Sequence, residues 1–130
     1  MPKDPKQLKI LLVDDDRFLL DMYSLKFKKL GVDIEASASS VSALQKIKDG
    51  KEYDIVIVDI IMPGMDGIEF LKTVRKEKIL PKAVFIMLTN QSDDEGKVKD
   101  LGLDGYIIKA STIPSEVCDK VLSIYHNHTN

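Results

Sequence analysis

The chain has 130 residues, 44% hydrophobic and 31% charged, with a net charge of −2 at neutral pH. That length suits one domain burying about two-thirds of its unfolded surface, and the balanced charge gives no broad electrostatic reason to expect nucleic acid or membrane binding. The single cysteine, Cys118, excludes an intrachain disulfide and fits a reducing compartment; with no apolar signal core in MPKDPKQLK and no membrane-length apolar run, a cytoplasmic domain is expected.

Apolar runs and amphipathic stretches alternate along the chain. LKILLV (8–13) reads as a first strand, followed by a helix over 16–30. DIEAS (33–37) precedes a helix over 40–49, and DIVIV (54–58) precedes one over 66–77. AVFIML (83–88) is followed by a helix over roughly 91–101, and GYII (105–108) by one over 113–125. The fourth helical stretch has few anchors, only Val98 and Leu101, and contains Gly96. Gly31, Gly50 and Gly102 stand where helices should stop. Five β-then-α units predict an α/β domain in three layers, a doubly wound five-stranded parallel sheet with helices on both faces. The expected limits are a tail over 1–7, the domain over 8–126 and a second tail over 127–130.

Within the first helix, Leu19, Tyr23, Phe27 and Leu30 share one face, as a core stripe should. Phe18, Met22 and Leu25 form a second apolar stripe. Either shielding by the fifth helix or a docking partner accounts for it. Lys26, Lys28 and Lys29 read as solvated, His126 and His128 make a poor metal case, and Cys118 reads as packing.

Open α/β sheets build their sites at the carboxyl ends of strands. Strand one is followed by Asp14, Asp15 and Asp16, strand three by Asp59, strand four by Thr89 and strand five by Lys109. Strand two ends on Ser37, Ala38 and Ser39, with nothing distinctive. In the doubly wound order 2-1-3-4-5, strands one, three, four and five are consecutive neighbours, so these ends converge. Acids, a hydroxyl and an ammonium are a set suited to a metal and a phosphoryl group. Asp16 alone reads as a helix N-cap. Asp59 is different, because a strand buried on both faces seldom delivers a charge at its tip without purpose.

ILLVDDD, VIVDIIMPGMDG, IMLTN and DGYIIK, in this order and spacing, resemble the signatures of the receiver domain of bacterial two-component response regulators. The resemblance covers residues 8 to about 125 and implies a flavodoxin-like fold with strand order 2-1-3-4-5. It implies that Asp59 takes a phosphoryl group from a histidine kinase or histidine phosphotransfer protein. Asp15 and Asp59, with the backbone carbonyl of Ile61, would ligate Mg2+, and Asp14 would act mainly through water and charge. Thr89 and Lys109 would bind phosphoryl oxygens. Thr89 and Tyr106 would form a switch that changes the surface of helix four, strand five and helix five for an unknown downstream protein. On this view the chain is not an enzyme; it catalyses only its own phosphorylation and dephosphorylation, with no nucleic acid or membrane partner. Phe18, Met22 and Leu25 then read as a docking patch for the phosphoryl donor.

Three positions depart from the family pattern. Ala110 stands where Pro usually follows the lysine, so a trans bond and a different placement of Lys109 are expected. Asn90 replaces a small residue and is expected to crowd or hydrogen-bond the site. Ile61 and Gln91 occupy positions that influence attack by water, and Ile61 cannot orient a water, which favours a longer-lived phosphorylated state. The expected protein is a stand-alone receiver; the competing readings are a phosphorylation-independent pseudo-receiver, an interaction module whose switching Ala110 and Asn90 have disabled, and an aspartyl phosphatase of the haloacid dehalogenase type. The second rests on the two-residue spacing of Asp14 and Asp16; it needs a larger core and leaves Asp59 without a role.

Overall fold

The computed structural model describes residues 2–90, 95–98 and 101–129. Strands β1 (Lys9–Val13), β2 (Asp33–Ser37), β3 (Ile55–Val58), β4 (Val84–Thr89) and β5 (Gly105–Ile108) form one sheet. Its order is β2-β1-β3-β4-β5, and every adjacent pair is parallel. The helices are α1 (Arg17–Lys29), α2 (Ser40–Lys48), α3 (Gly67–Lys76), a short α4 (Glu95–Val98) and α5 (Pro114–Thr129).

Side-chain alternation divides the core between the two faces. Ile10, Leu12, Ile55, Ile57 and Ile86 pack with Leu20, Tyr23 and Phe27 of α1 and Val117 and Val121 of α5. Leu11, Val13, Val56, Val58, Phe85 and Met87 pack instead with α2, with Phe70, Leu71 and Val74 of α3, and with Val98 of α4. Central strands covered on both sides must be apolar throughout, and every residue of β3 and β4 is buried. Each fully buried Leu, Ile or Phe contributes about 1.5–3 kcal/mol. Side-chain caps start the helices at the carboxyl pole: Asp16 accepts from the Leu19 amide, Ser39 from Ser42 and Asp66 from Glu69.

The packing corrects parts of the sequence reading. On α1 the buried stripe is Leu20, Tyr23 and Phe27; Leu19 is only partly buried, and Leu30, at the C-cap, is exposed. The helix packs against both β2 and α5; Tyr23 and Phe27 keep the expected core face, and Leu20 takes the place of Leu19. Helix α5 continues past residue 125 to Thr129, because Tyr125 is still a core residue. Its hydroxyl accepts from the Lys3 amide at 3.0 Å, while Lys3 Nζ pairs with Asp54 at 3.0 Å, so the amino-terminal stretch is tied to the fold. The expected fourth helix is present over Glu95–Val98; residues 91–94, Gln91 among them, and 99–100 lie outside the described residues. Cys118 is buried packing. Among the described residues, no helix is long and apolar enough to cross a membrane.

Candidate functional site

The ladder of the sheet runs one step beyond β1 and β3. The Asp14 amide donates to Ser37 O and the Asp59 amide to Val13 O, each at 3.1 Å. Continuing the alternation therefore puts Asp14 after Leu12, Asp59 after Ile57 and Lys109 after Ile107 on the α1/α5 face. There they meet. Lys109 Nζ donates to Asp14 Oδ2 at 2.6 Å and to Asp59 Oδ2 at 2.8 Å.

Burial makes this cluster electrostatically unusual. Asp14 is 1% exposed and Asp59 9%. Burial pulls the Lys109 ammonium toward its neutral form, but hydrogen bonds and charge from both carboxylates outweigh it and raise its pKa. Burial pushes the Asp14 carboxyl up, against the hydrogen bonds from Lys109 and the Asp16 amide, with the Asp59 charge adding to the rise. Two carboxylates share one ammonium, so the pocket keeps an excess of negative charge. Asp59 Oδ1 is buried with no hydrogen-bond partner among the described residues.

Oxygens of Asp14, Asp15 and Asp59 lie within 4.8 Å of one another, a spacing that can hold a metal ion. Asp15 is exposed, and Asp59 offers an unpartnered oxygen. Both Asp14 oxygens already accept bonds, from Lys109 and from the Asp16 amide at 2.9 Å. Asp14 thus contributes charge and spare lone pairs. An all-oxygen donor set of this kind fits a hard, small cation such as Mg2+. Asp16 caps α1, as its position suggested, its carboxylate accepting from the Leu19 amide.

The remaining residues fall into place unevenly. All described peptide bonds are trans, including Lys109–Ala110, yet Lys109 reaches both acids; a single 3-10 turn over Lys109–Ser111 suffices. The trans bond expected before Ala110 is present, and Lys109 reaches both acids with it. Asn90 is exposed. Thr89 is buried and belongs by alternation to the opposite, α2/α3 face, as does Tyr106, which packs against the cluster of that face. Tyr106 is paired with Met87 and Ile108 with Thr89, so Tyr106 stands two residues along from Thr89 rather than directly beside it. Ile61, two residues after Asp59, is 58% exposed.

The second stripe of α1 splits. Phe18 is 76% exposed and Leu25 is exposed as well, but Met22 packs partly against the core. Sequence reasoning passed over two residues that closely follow strand ends in the chain. Ile113, 59% exposed, precedes Pro114 at the start of α5; an extended pre-proline residue falls outside the helical stripe, and that was the available signal. Gly67 is the other. Its amide donates to Ile60 O at 2.8 Å, and a Cβ there would stand 2.2 Å from the Asp59 carbonyl oxygen. A cavity of about 960 Å3 opens at the opposite, amino pole, lined by Lys9, Tyr53, Asp54 and Pro81 among others. Volume is no guide here, because the convergent charged groups are at the carboxyl pole.

Residues 10–121 match the response regulator receiver domain family. Over 96 residues the chain is 38% identical to the transcriptional regulatory protein CpxR homolog of Haemophilus influenzae, covering 74% of this chain and 39% of that protein. The chain thus spans about two-fifths of the length of that curated relative. The structure is similar to the Francisella response regulator 1452 receiver domain, with a TM-score of 0.81 and 28% identity over 94% of this chain and 99% of that one. It is also similar to the response regulator TrrA of Thermotoga maritima in complex with Mg2+ and BeF, with a TM-score of 0.79 and 31% identity over 91% and 99% of the two chains.

Proposed function

The chain belongs to the response regulator receiver domain family, and from that premise we propose that Asp59 is its phosphoacceptor, with Mg2+ as cofactor and a phosphohistidine as donor. One observation carries the proposal: Asp59 Oδ1 is buried with no hydrogen-bond partner among the described residues, beside Asp14, Asp15 and Lys109. Leaving such an oxygen unsatisfied costs about 1–3 kcal/mol or more, which a cation or phosphoryl group relieves.

An Asp59 oxygen attacks phosphorus, a P–O bond forms as the P–N bond breaks, and the imidazole nitrogen leaves with the bonding pair. Asp15 and Asp59, with the Ile61 carbonyl and the charge of Asp14, would hold Mg2+, which when bound would neutralise charge on the phosphoryl oxygens. The ammonium of Lys109 moves from the carboxylates to a phosphoryl oxygen, and the Thr89 hydroxyl binds another. Tyr106 follows, and a pre-existing equilibrium of the α4, β5 and α5 surface shifts toward the form that a downstream protein binds. The chain acts only on itself. Ile61 offers no side-chain group to orient a hydrolytic water, which favours a long-lived acyl phosphate.

The donor is a histidine kinase or histidine phosphotransfer protein. Phe18, Ile61 and Ile113 are exposed apolar residues on the chain that follows β1, β3 and β5, with Leu25 further along α1. Such anchors give a protein donor docking area that a small donor does not need. Incubation with acetyl phosphate and Mg2+ should add a phosphoryl mass at Asp59. Asp59→Asn should abolish it, Asp16→Asn should not, and Phe18→Ala should slow transfer only from a phosphohistidine protein. Labelling that survives Asp59→Asn overturns the assignment, and a parent that never labels leaves the phosphorylation-independent module.

A further inference from the structure

Helix α3 crosses one face of the sheet from pole to pole, ten residues and therefore about 15 Å long. Its first residue, Gly67, lies against the Asp59–Ile60 peptide. Near its other end, Arg75 reaches the segment that feeds β5. Nε donates to Leu101 O at 3.2 Å and Nη2 to Gly102 O at 2.6 Å, while the guanidinium lies 4.7 Å from the centre of the Phe85 ring. Gly102 takes φ +79, and a Cβ there would approach Arg75 Nε to 3.2 Å. The same segment is clasped to β4, since the Asp104 amide donates to Phe85 O and the Phe85 amide to Asp104 Oδ2, each at 2.9 Å.

A solvated arginine near a helix end is the ordinary alternative. It does not account for a planar fork bonded to two successive carbonyls and stacked on a buried ring, a geometry that lysine cannot reproduce. The strand entered through this grip is the one that bears Tyr106 and leads to Lys109.

We propose that Arg75 is a positioning residue: it locks the entry to β5 against α3 and so opposes the rearrangement that a phosphoryl group on Asp59 demands. The proposal rests on the phosphoacceptor reading. A contact made in the unmodified form and lost in the phosphorylated one lowers affinity for a phosphoryl mimic, and removing it must raise that affinity.

The test is calorimetric titration of the parent, Arg75→Ala and Arg75→Lys with beryllium fluoride and Mg2+, beside amide exchange over residues 103–108 without ligand. Arg75→Ala should bind at least about fivefold more tightly, the low end of measured couplings, and its β5 amides should exchange faster. Arg75→Lys should move the same way, and it decides the matter if the alanine variant does not fold. Equal or weaker binding by a folded variant, while the parent binds, overturns the positioning role alone. A parent that binds nothing overturns the phosphoacceptor reading instead, and with it the coupling.

Discussion

At Lys109 burial and charge pull in opposite directions, and the two carboxylates win because both lie within hydrogen-bond distance. Glu35 shows the same contest far from the acid cluster. Burial alone would raise its carboxyl, but the Tyr53 hydroxyl at 2.7 Å, Lys51 at 3.0 Å and Lys46 at 3.4 Å outweigh it and hold it down to about 2. Tyr53 responds in the other sense, its phenol raised by burial and by the neighbouring carboxylate. A depressed acid stabilises the fold above its ordinary value of 4.5, and that contribution disappears as pH falls from 4.5 toward 2. Glu35→Gln should therefore melt below the parent at pH 7, and the two curves should converge across that window. Thermal denaturation against pH checks it; a constant gap down to the lower limit removes Glu35 from the account.

Among the elements, α3 has the tightest constraint. Its first turn is capped by Asp66, and Gly67 presses on the backbone of Asp59 with no room for a side chain. Gly67→Ala forces helix and strand tip apart, and overpacking of this kind costs about 1–3 kcal/mol. The urea midpoint should fall, and labelling of Asp59 by acetyl phosphate should slow, because the carboxylate shifts with its backbone. Gly105→Ala is the contrast. There the three atoms nearest a Cβ would all belong to the Ile124 side chain, the first at 2.6 Å, and a side chain moves aside more readily than backbone. If the two variants label at equal rates, the close approach of α3 does not position Asp59.

For the whole molecule, three carboxylates gathered at one pole store repulsion that a divalent ion removes. A ligand that binds only the folded state raises stability by about 2.7 kcal/mol at 100 times its dissociation constant. The melting temperature should therefore climb with Mg2+ concentration, and Asp15→Ala should flatten that dependence by deleting an exposed ligand. An equal rise in the variant would move the ion away from Asp15. The two ends of the chain also share in global stability, since Lys3 meets both Tyr125 and Asp54. That link joins residues 122 apart in sequence, and no local pattern announced it.

From the sequence alone, the strands, the sheet class and the common pole of Asp14, Asp15, Asp59, Thr89 and Lys109 were determined. Composition and period decide whether a strand has a wet face, and in a parallel sheet every strand leaves at the same end whatever the distances between them. Tertiary structure alone decided the rest: Leu20 facing the core instead of Leu19, Met22 drawn inward from the stripe, Ile113 left exposed, and Lys109 bridging two acids 95 and 50 residues away. It also decided that Gly67 touches Asp59 and that Arg75 grips Leu101 and Gly102. These depend on helix rotation and loop paths, which are fixed only when all elements pack together at once, so the period of any single element carries no record of them.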